Sequence, residues 1–160
     1  MSTTSPHVAV PRSGVAGLIE RVVGWLEAVP YSLLAIPARL AVAEVFWSSF
    51  STKIQNWDTT VTLFEDEYKL PLLSADAAAH MTAGIEVTAS ILLVLGLLTR
   101  PVALLLLGMT AYIEAFIYPL AWPTHIQWAA MLVFLLCRGP GKLSLDYLIK
   151  RALGIPSAAG

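Results

Sequence analysis

Four stretches of this chain are apolar along nearly their whole length, over residues 31–52, 77–98, 101–118 and 123–137. About 20 mostly apolar residues are what an α-helix needs to cross ~30 Å of hydrocarbon. Lipid cannot satisfy a backbone N–H or C=O, so runs of this kind fold as helices. The Leu-rich runs also lack the polar face that a helix of a soluble bundle shows. The fold expected is all-α, an integral membrane bundle of four helices. Composition points the same way. Only 13% of residues are charged, against roughly 25% in soluble domains.

The remaining segments fit around that bundle. Residues 1–14 (MSTTSPHVAVPRSG) are polar and punctuated by Pro and Gly, with no apolar core ahead of a small-residue cleavage site. They read as a disordered tail rather than a signal peptide. Next, Val15, Leu18, Ile19, Val22, Leu26 and Val29 recur at helical spacing while Glu20, Arg21 and Glu27 fall elsewhere. That pattern predicts an amphipathic helix in the membrane interface, with a break at Pro30. Between the first two spans, Trp57, Val61, Phe64 and Tyr68 predict a short capping helix ended by Pro71, and Ser74 is placed to cap the next helix. The membrane domain is expected over residues 15–150, with a C-terminal tail at 151–160.

Orientation follows from the basic residues. Arg12, Arg21, Arg100, Arg138, Lys142, Lys150 and Arg151 fall on one side of the expected spans and only Lys53 and Lys69 on the other, with Arg39 inside a span. Positive residues stay cytoplasmic, so both termini are expected in the cytoplasm and the acidic 53–76 loop outside. A net charge of −1 gives no footprint for nucleic acid. The single cysteine, Cys137, excludes an intrachain disulfide or a CxxC redox pair. No Walker loop, nucleophile elbow or HExxH motif is present.

Ionisable residues inside the spans carry the functional signal. Glu44, Glu86, Glu114 and His125 each lie 13 residues from the expected cytoplasmic end of their own helix, roughly 20 Å at about 1.5 Å per residue. They are expected to form one polar layer just outside the midplane, pointing into the bundle and pairing there. Arg39, five residues before Glu44, is the expected counter-ion, with His80 and Gln127 as candidate neighbours. Several readings fit such a layer. One is a network that fixes helix packing. Another is a proton-exchanging site for a quinone-type redox partner, and a further one is a transport path. Three glutamates and a histidine also resemble carboxylate-rich metal ligation, but Glu-x-x-His spacing is missing, and metal ranks below quinone.

The last span runs into RGPGKLSLD (138–146), where the glycines and proline stop the helix and Ser144 and Asp146 are placed to brace the turn. Together with Arg39, Lys53, and Glu86 followed by GLLTR (96–100), these residues resemble the DoxX family of small four-helix membrane proteins over about residues 31–150. Phe50 stands where the family often has glycine. The resemblance implies a bundle in the bacterial cytoplasmic (inner) membrane. It also implies a role as a membrane subunit of a redox or detoxification system, since the family name comes from a thiosulfate:quinone oxidoreductase subunit. The expected partners are the lipid bilayer, a membrane or cytoplasmic redox protein, and a second copy of the chain. A non-catalytic anchor or a small-solute permease is the alternative.

Overall fold

The computed structural model describes residues 14–70 and 72–155. The expected N-terminal tail lies outside them except for Gly14, as do Pro71 and the end of the expected C-terminal tail. The described residues are helical with no strand among them. They divide into two units, residues 1–30 and 31–160. In the first, α1 spans Val15–Glu27, and Arg21 Nε donates to the Gly17 carbonyl along it.

The second unit holds four long helices: α2 (Tyr31–Gln55), α4 (Ala75–Leu95), α5 (Thr99–Phe116) and α6 (Trp122–Arg138). A short α3 (Trp57–Leu63) runs into a π-helical turn at Phe64–Tyr68, and α7 (Leu145–Ala152) follows the last long helix. The chain thus breaks around Pro30 as expected, and a short helix does follow the first span. The helices α2 and α4, and the stretch Pro119–Arg138 that joins a 3-10 turn to α6, are long and apolar enough to cross a membrane. At 18 residues, α5 is about 27 Å long at ~1.5 Å per residue.

Small residues let two of these helices approach closely. The buried face of α4 is Ala78, Ala79, Thr82, Ala83, Glu86, Ala89, Ser90 and Leu93, a stripe at spacings of three and four that is nearly free of bulk. It packs on α2, whose buried face is Ala35, Arg39, Val42, Ala43 and Phe46. In the same way α5 pairs with α6. Leu93, Leu106, Leu132 and Leu135, none of them accessible, fill the space between the four helices.

Local chemistry sets where each helix stops. Ser74 accepts from the Ala77 N–H and caps α4, as expected. The second span ends three residues earlier than the hydropathy suggests, because Gly96 turns left-handed (φ 64°). At the other end of the bundle Asn56 caps α3 through the Thr59 N–H. A smaller cluster there packs Phe64 against Ala78 and Ala79, with Trp57, Val61 and Tyr68 around it, so the four residues singled out for a capping helix share one apolar face.

The two ends of the bundle differ in charge. Arg100, Arg138, Lys142, Lys150 and Arg151 collect where α2 and α5 begin and α4 and α6 end, and this is the basic end. Asp58, Glu65, Asp66, Glu67 and Asp76 collect at the other, acidic end.

Candidate functional site

Near the acidic end, α2 and α4 share a closed ionic cluster. The Lys53 ammonium lies 2.7 Å from Glu86 Oε1 and 2.9 Å from Oε2. Ser49, one turn before Lys53 on α2, donates to Glu86 Oε1 at 2.9 Å and accepts from Lys53 at 2.8 Å. Glu86 is only 2% exposed. A carboxylate so deeply placed keeps its charge only with a partner and hydrogen bonds on both oxygens, and Lys53 and Ser49 supply them. The cation beside Glu86 is therefore Lys53.

Over that cluster the π-helical turn places Tyr68, stacked on Phe64 at 4.5 Å and edge-on to Tyr118 at 6.1 Å. Burial first, then the Glu86 and Glu67 carboxylates, raise the Tyr68 hydroxyl above the usual phenol range. Tyr118 donates a short hydrogen bond to Glu67. Its hydroxyl is also raised, by burial and then by that bond. Both phenols thus hold their protons more firmly than a phenol in water.

A second pair joins α5 to α6. His125 Nδ1 lies 2.6 Å from Glu114 Oε2, with the imidazole nearly inaccessible. The ring of His125 stands 5.0 Å from that of Trp128, which leans on Phe46 of α2 at 6.3 Å. Two acid–base pairs, each bridging two helices, replace the single shared layer expected from counting depth.

Arg39 belongs to neither pair. Its Nη2 donates to the Leu143 carbonyl at 2.9 Å, and Asp146 is the acid that attracts it electrostatically. Its Nε and Nη1, with the Thr99 hydroxyl, meet no partner among the described residues. The expectation that Arg39 neutralises a glutamate is corrected for a geometric reason. Five residues turn a helix through about 140° from its starting face, so Arg39 faces the core and Glu44 faces away. Gln127 and His80 also lie elsewhere: Gln127 bonds the Pro123 carbonyl, and His80 pairs with Asp76 beside Trp57.

At the basic end, RGPGKLSLD ties three helix ends together. Asp146 accepts from the Leu98 N–H at 2.8 Å and the Thr99 N–H at 3.0 Å, capping α5, and returns its own N–H to the Gly96 carbonyl at 3.0 Å. Ser144 caps α7 through the Tyr147 N–H and donates to the Gly141 carbonyl. Ser32 at the start of α2 accepts from the Lys142 N–H, and Tyr31 donates to the Gly139 carbonyl. Gly96 sits under Arg39, where a Cβ would stand 1.9 Å from Nη1. Gly141 lies against α2, where a Cβ would come 2.8 Å from the Ser32 Cα.

Glu44 is exposed on the outer side of α2. Beside it, α2 and α4 enclose a groove of about 530 Å³ lined by Leu40, Ala43, Glu44, Trp47, Ser90, Ile91, Val94 and Leu95. Because Leu40, Trp47, Ile91, Val94 and Leu95 are exposed, the groove opens to the surroundings of the bundle. The cavity is large enough for the ring of a small aromatic ligand. The carboxylates and imidazole of the expected site are thus divided between two pairs and a groove. Among the described residues no group of three or more His, Cys, Asp or Glu is placed to hold a metal ion.

Apolar helices of spanning length, packed around a buried lysine–glutamate pair and a histidine–glutamate contact, define a small multi-pass helical membrane protein. The family model described as DoxX matches residues 34–119, over half of the chain, and the chain belongs to the DoxX family. No curated protein and no solved structure matches it.

Sequence reasoning missed Lys53 and Ser49 as partners of Glu86. The signal was present. Phe46, Ser49 and Lys53 continue the buried face of α2 from Arg39 at steps of three and four, which points both polar groups at α4. Nothing in the sequence marks Tyr118 as the partner of Glu67, because their contact joins two loops 51 residues apart.

Proposed function

We propose that this chain is a membrane subunit of a redox or detoxification system and takes a quinone from the lipid into the α2–α4 groove. The groove itself carries the reading: an apolar recess that opens sideways and has one carboxylate, Glu44, on its wall. An ionisable group placed mid-helix and outward is costly in hydrocarbon, and a polar head group against Glu44 offsets that cost. Glu86–Lys53 then holds together the two helices that form the walls. The centre that exchanges electrons with the quinone belongs to a partner protein. With its basic end in the cytoplasm, the groove opens to the bilayer of a bacterial inner membrane.

The anchor reading is favoured by a different observation. Both acid–base pairs are closed on themselves, as in a protein whose polar groups serve only to fix packing.

Purification in mild detergent, followed by mass spectrometry of the lipid extract, separates the two. The quinone reading expects co-purified quinone in near-stoichiometric amount, lost from an Ile91→Trp variant whose indole fills the groove. Quinone no higher than in an unrelated membrane protein prepared alongside supports the anchor.

A further inference from the structure

The last helix, α7, is tied to the bundle by its first turn and leaves its apolar face uncovered. None of its residues is buried. At about 100° per residue, Leu145, Leu148, Ile149 and Ala152 fall within one arc, and Lys150 and Arg151 fall within the opposite one. Leu148 and Ile149 are exposed, as are Leu153 and Ile155 beyond the helix end. The height of the helix is fixed. Asp146 in its first turn holds the Leu98 and Thr99 N–H groups, and the Lys142 N–H before it bonds Ser32 at the start of α2. Those positions are ends of long helices, so α7 leaves the bundle at the level where spanning helices leave hydrocarbon.

The cations at this end have charge to spare. Arg100, Arg138, Lys142, Lys150 and Arg151 are all exposed, and among the described residues none of the five forms an ion pair. Arg100 holds the Cys137 carbonyl, and Arg138 lies over the Tyr31 ring at 5.1 Å. A helix with an apolar arc and a basic arc lies in the plane of a membrane interface. Its two arcs ask for hydrocarbon on one side and fixed negative charge on the other. A leaflet with acidic headgroups supplies both, whereas an acidic soluble protein supplies one.

We infer that α7 and the basic end around it bind anionic phospholipid. Leu148, Ile149 and Leu153 enter the acyl region, and Lys150 and Arg151 reach the phosphates along their flexible stems. Arg100, Arg138 and Lys142 add attraction of the same sign. The site shares no residue with the groove and does not depend on what the groove binds.

The test is native mass spectrometry of the full chain in mild detergent, titrated with a phosphatidylglycerol and with a phosphatidylcholine of the same acyl chains. Phosphatidylglycerol is expected to bind about thirtyfold tighter or more, and raised salt narrows the gap. Lys150→Gln combined with Arg151→Gln is expected to remove most of the preference and leave phosphatidylcholine unchanged. Leu148→Ser combined with Ile149→Ser is expected to weaken both lipids. All four side chains are exposed, so without lipid the thermal midpoint of each variant stays that of the unaltered chain. Equal binding of the two lipids overturns the inference, and so does a full preference surviving in the glutamine variant. Phosphatidylglycerol binding untouched by the serine substitutions overturns it as well. Glycerol phosphate that competes as strongly as the whole lipid reveals a site for soluble phosphate and overturns it too.

Discussion

The acidic and basic ends of this bundle use charge differently. At the acidic end side chains bind side chains: Lys53 with Glu86, His125 with Glu114, Tyr118 with Glu67. At the basic end charged side chains hold backbone. Arg39 holds the Leu143 carbonyl, Arg100 the Cys137 carbonyl, and Asp146 the Leu98 and Thr99 N–H groups. A side-chain pair can exchange partners by rotating about single bonds. A clasp on the backbone opens only if a helix end moves. The basic end is accordingly the more fixed of the two, and the acidic end is held by side chains that can rotate.

Lys53→Met should have the largest effect. It leaves Glu86 buried without its cation and should cost about 3–5 kcal/mol, read as a lower thermal midpoint in detergent. Lys53→Met combined with Glu86→Gln should recover most of the loss, because no unpaired charge remains. If the double variant is as unstable as the single, Glu86 was not held by charge pairing and the contrast between the two ends fails.

Gly96→Ala tests the basic end. An alanine there must adopt φ 64° with its Cβ inside contact distance of Arg39, and left-handed backbone at a non-glycine residue costs on the order of 1–3 kcal/mol before the clash is counted. Gly84→Ala, with open space around its Cβ, should be neutral or slightly stabilising. Equal effects from the two would mean that Arg39 does not sit against the α4–α5 turn.

Tyr118→Phe should have the smallest effect, about 1 kcal/mol for one hydrogen bond. Its pH dependence is more informative. Folding raises both Tyr68 and Tyr118 above the ordinary phenol value of about 10. The neutral forms are favoured in the folded chain, so this contribution is fully present below pH ~10 and is lost as pH rises through the higher folded values. The variant should lose less stability than the unaltered chain between neutral pH and strongly alkaline pH. Identical alkaline profiles would remove Tyr118 from the acidic-end network.

Reading depth from the sequence succeeded where distance along a helix was enough. Hydropathy located the four long helices, and the caps at Ser74 and Ser144 followed from residue type. Distance along a helix says nothing about rotation around it. Glu44, Glu86, Glu114 and His125 were counted to a common height, yet Glu44 lies one residue, about 100°, from the buried Ala43. The repeat Arg39–Phe46–Ser49–Lys53 contained that angle and pointed to the true partner of Glu86. Contacts made by loops, such as Tyr118 with Glu67 or Asp146 with Thr99, had no period to reveal them. They depend on which helix ends become neighbours, and only the packed bundle determines that.

The cap on α5 also sets an order of assembly. Asp146 lies 48 residues beyond the Leu98 N–H it holds, so at a synthesis rate of about 5–20 residues per second the turn waits roughly 2–10 s for its acceptor. During that interval α4 and α5 can be in the bilayer, but the start of α5 has open N–H groups facing the water of the headgroups. The segment that follows α6 works as a latch, and a stop codon placed just before it would leave every long helix made and the bundle unfastened.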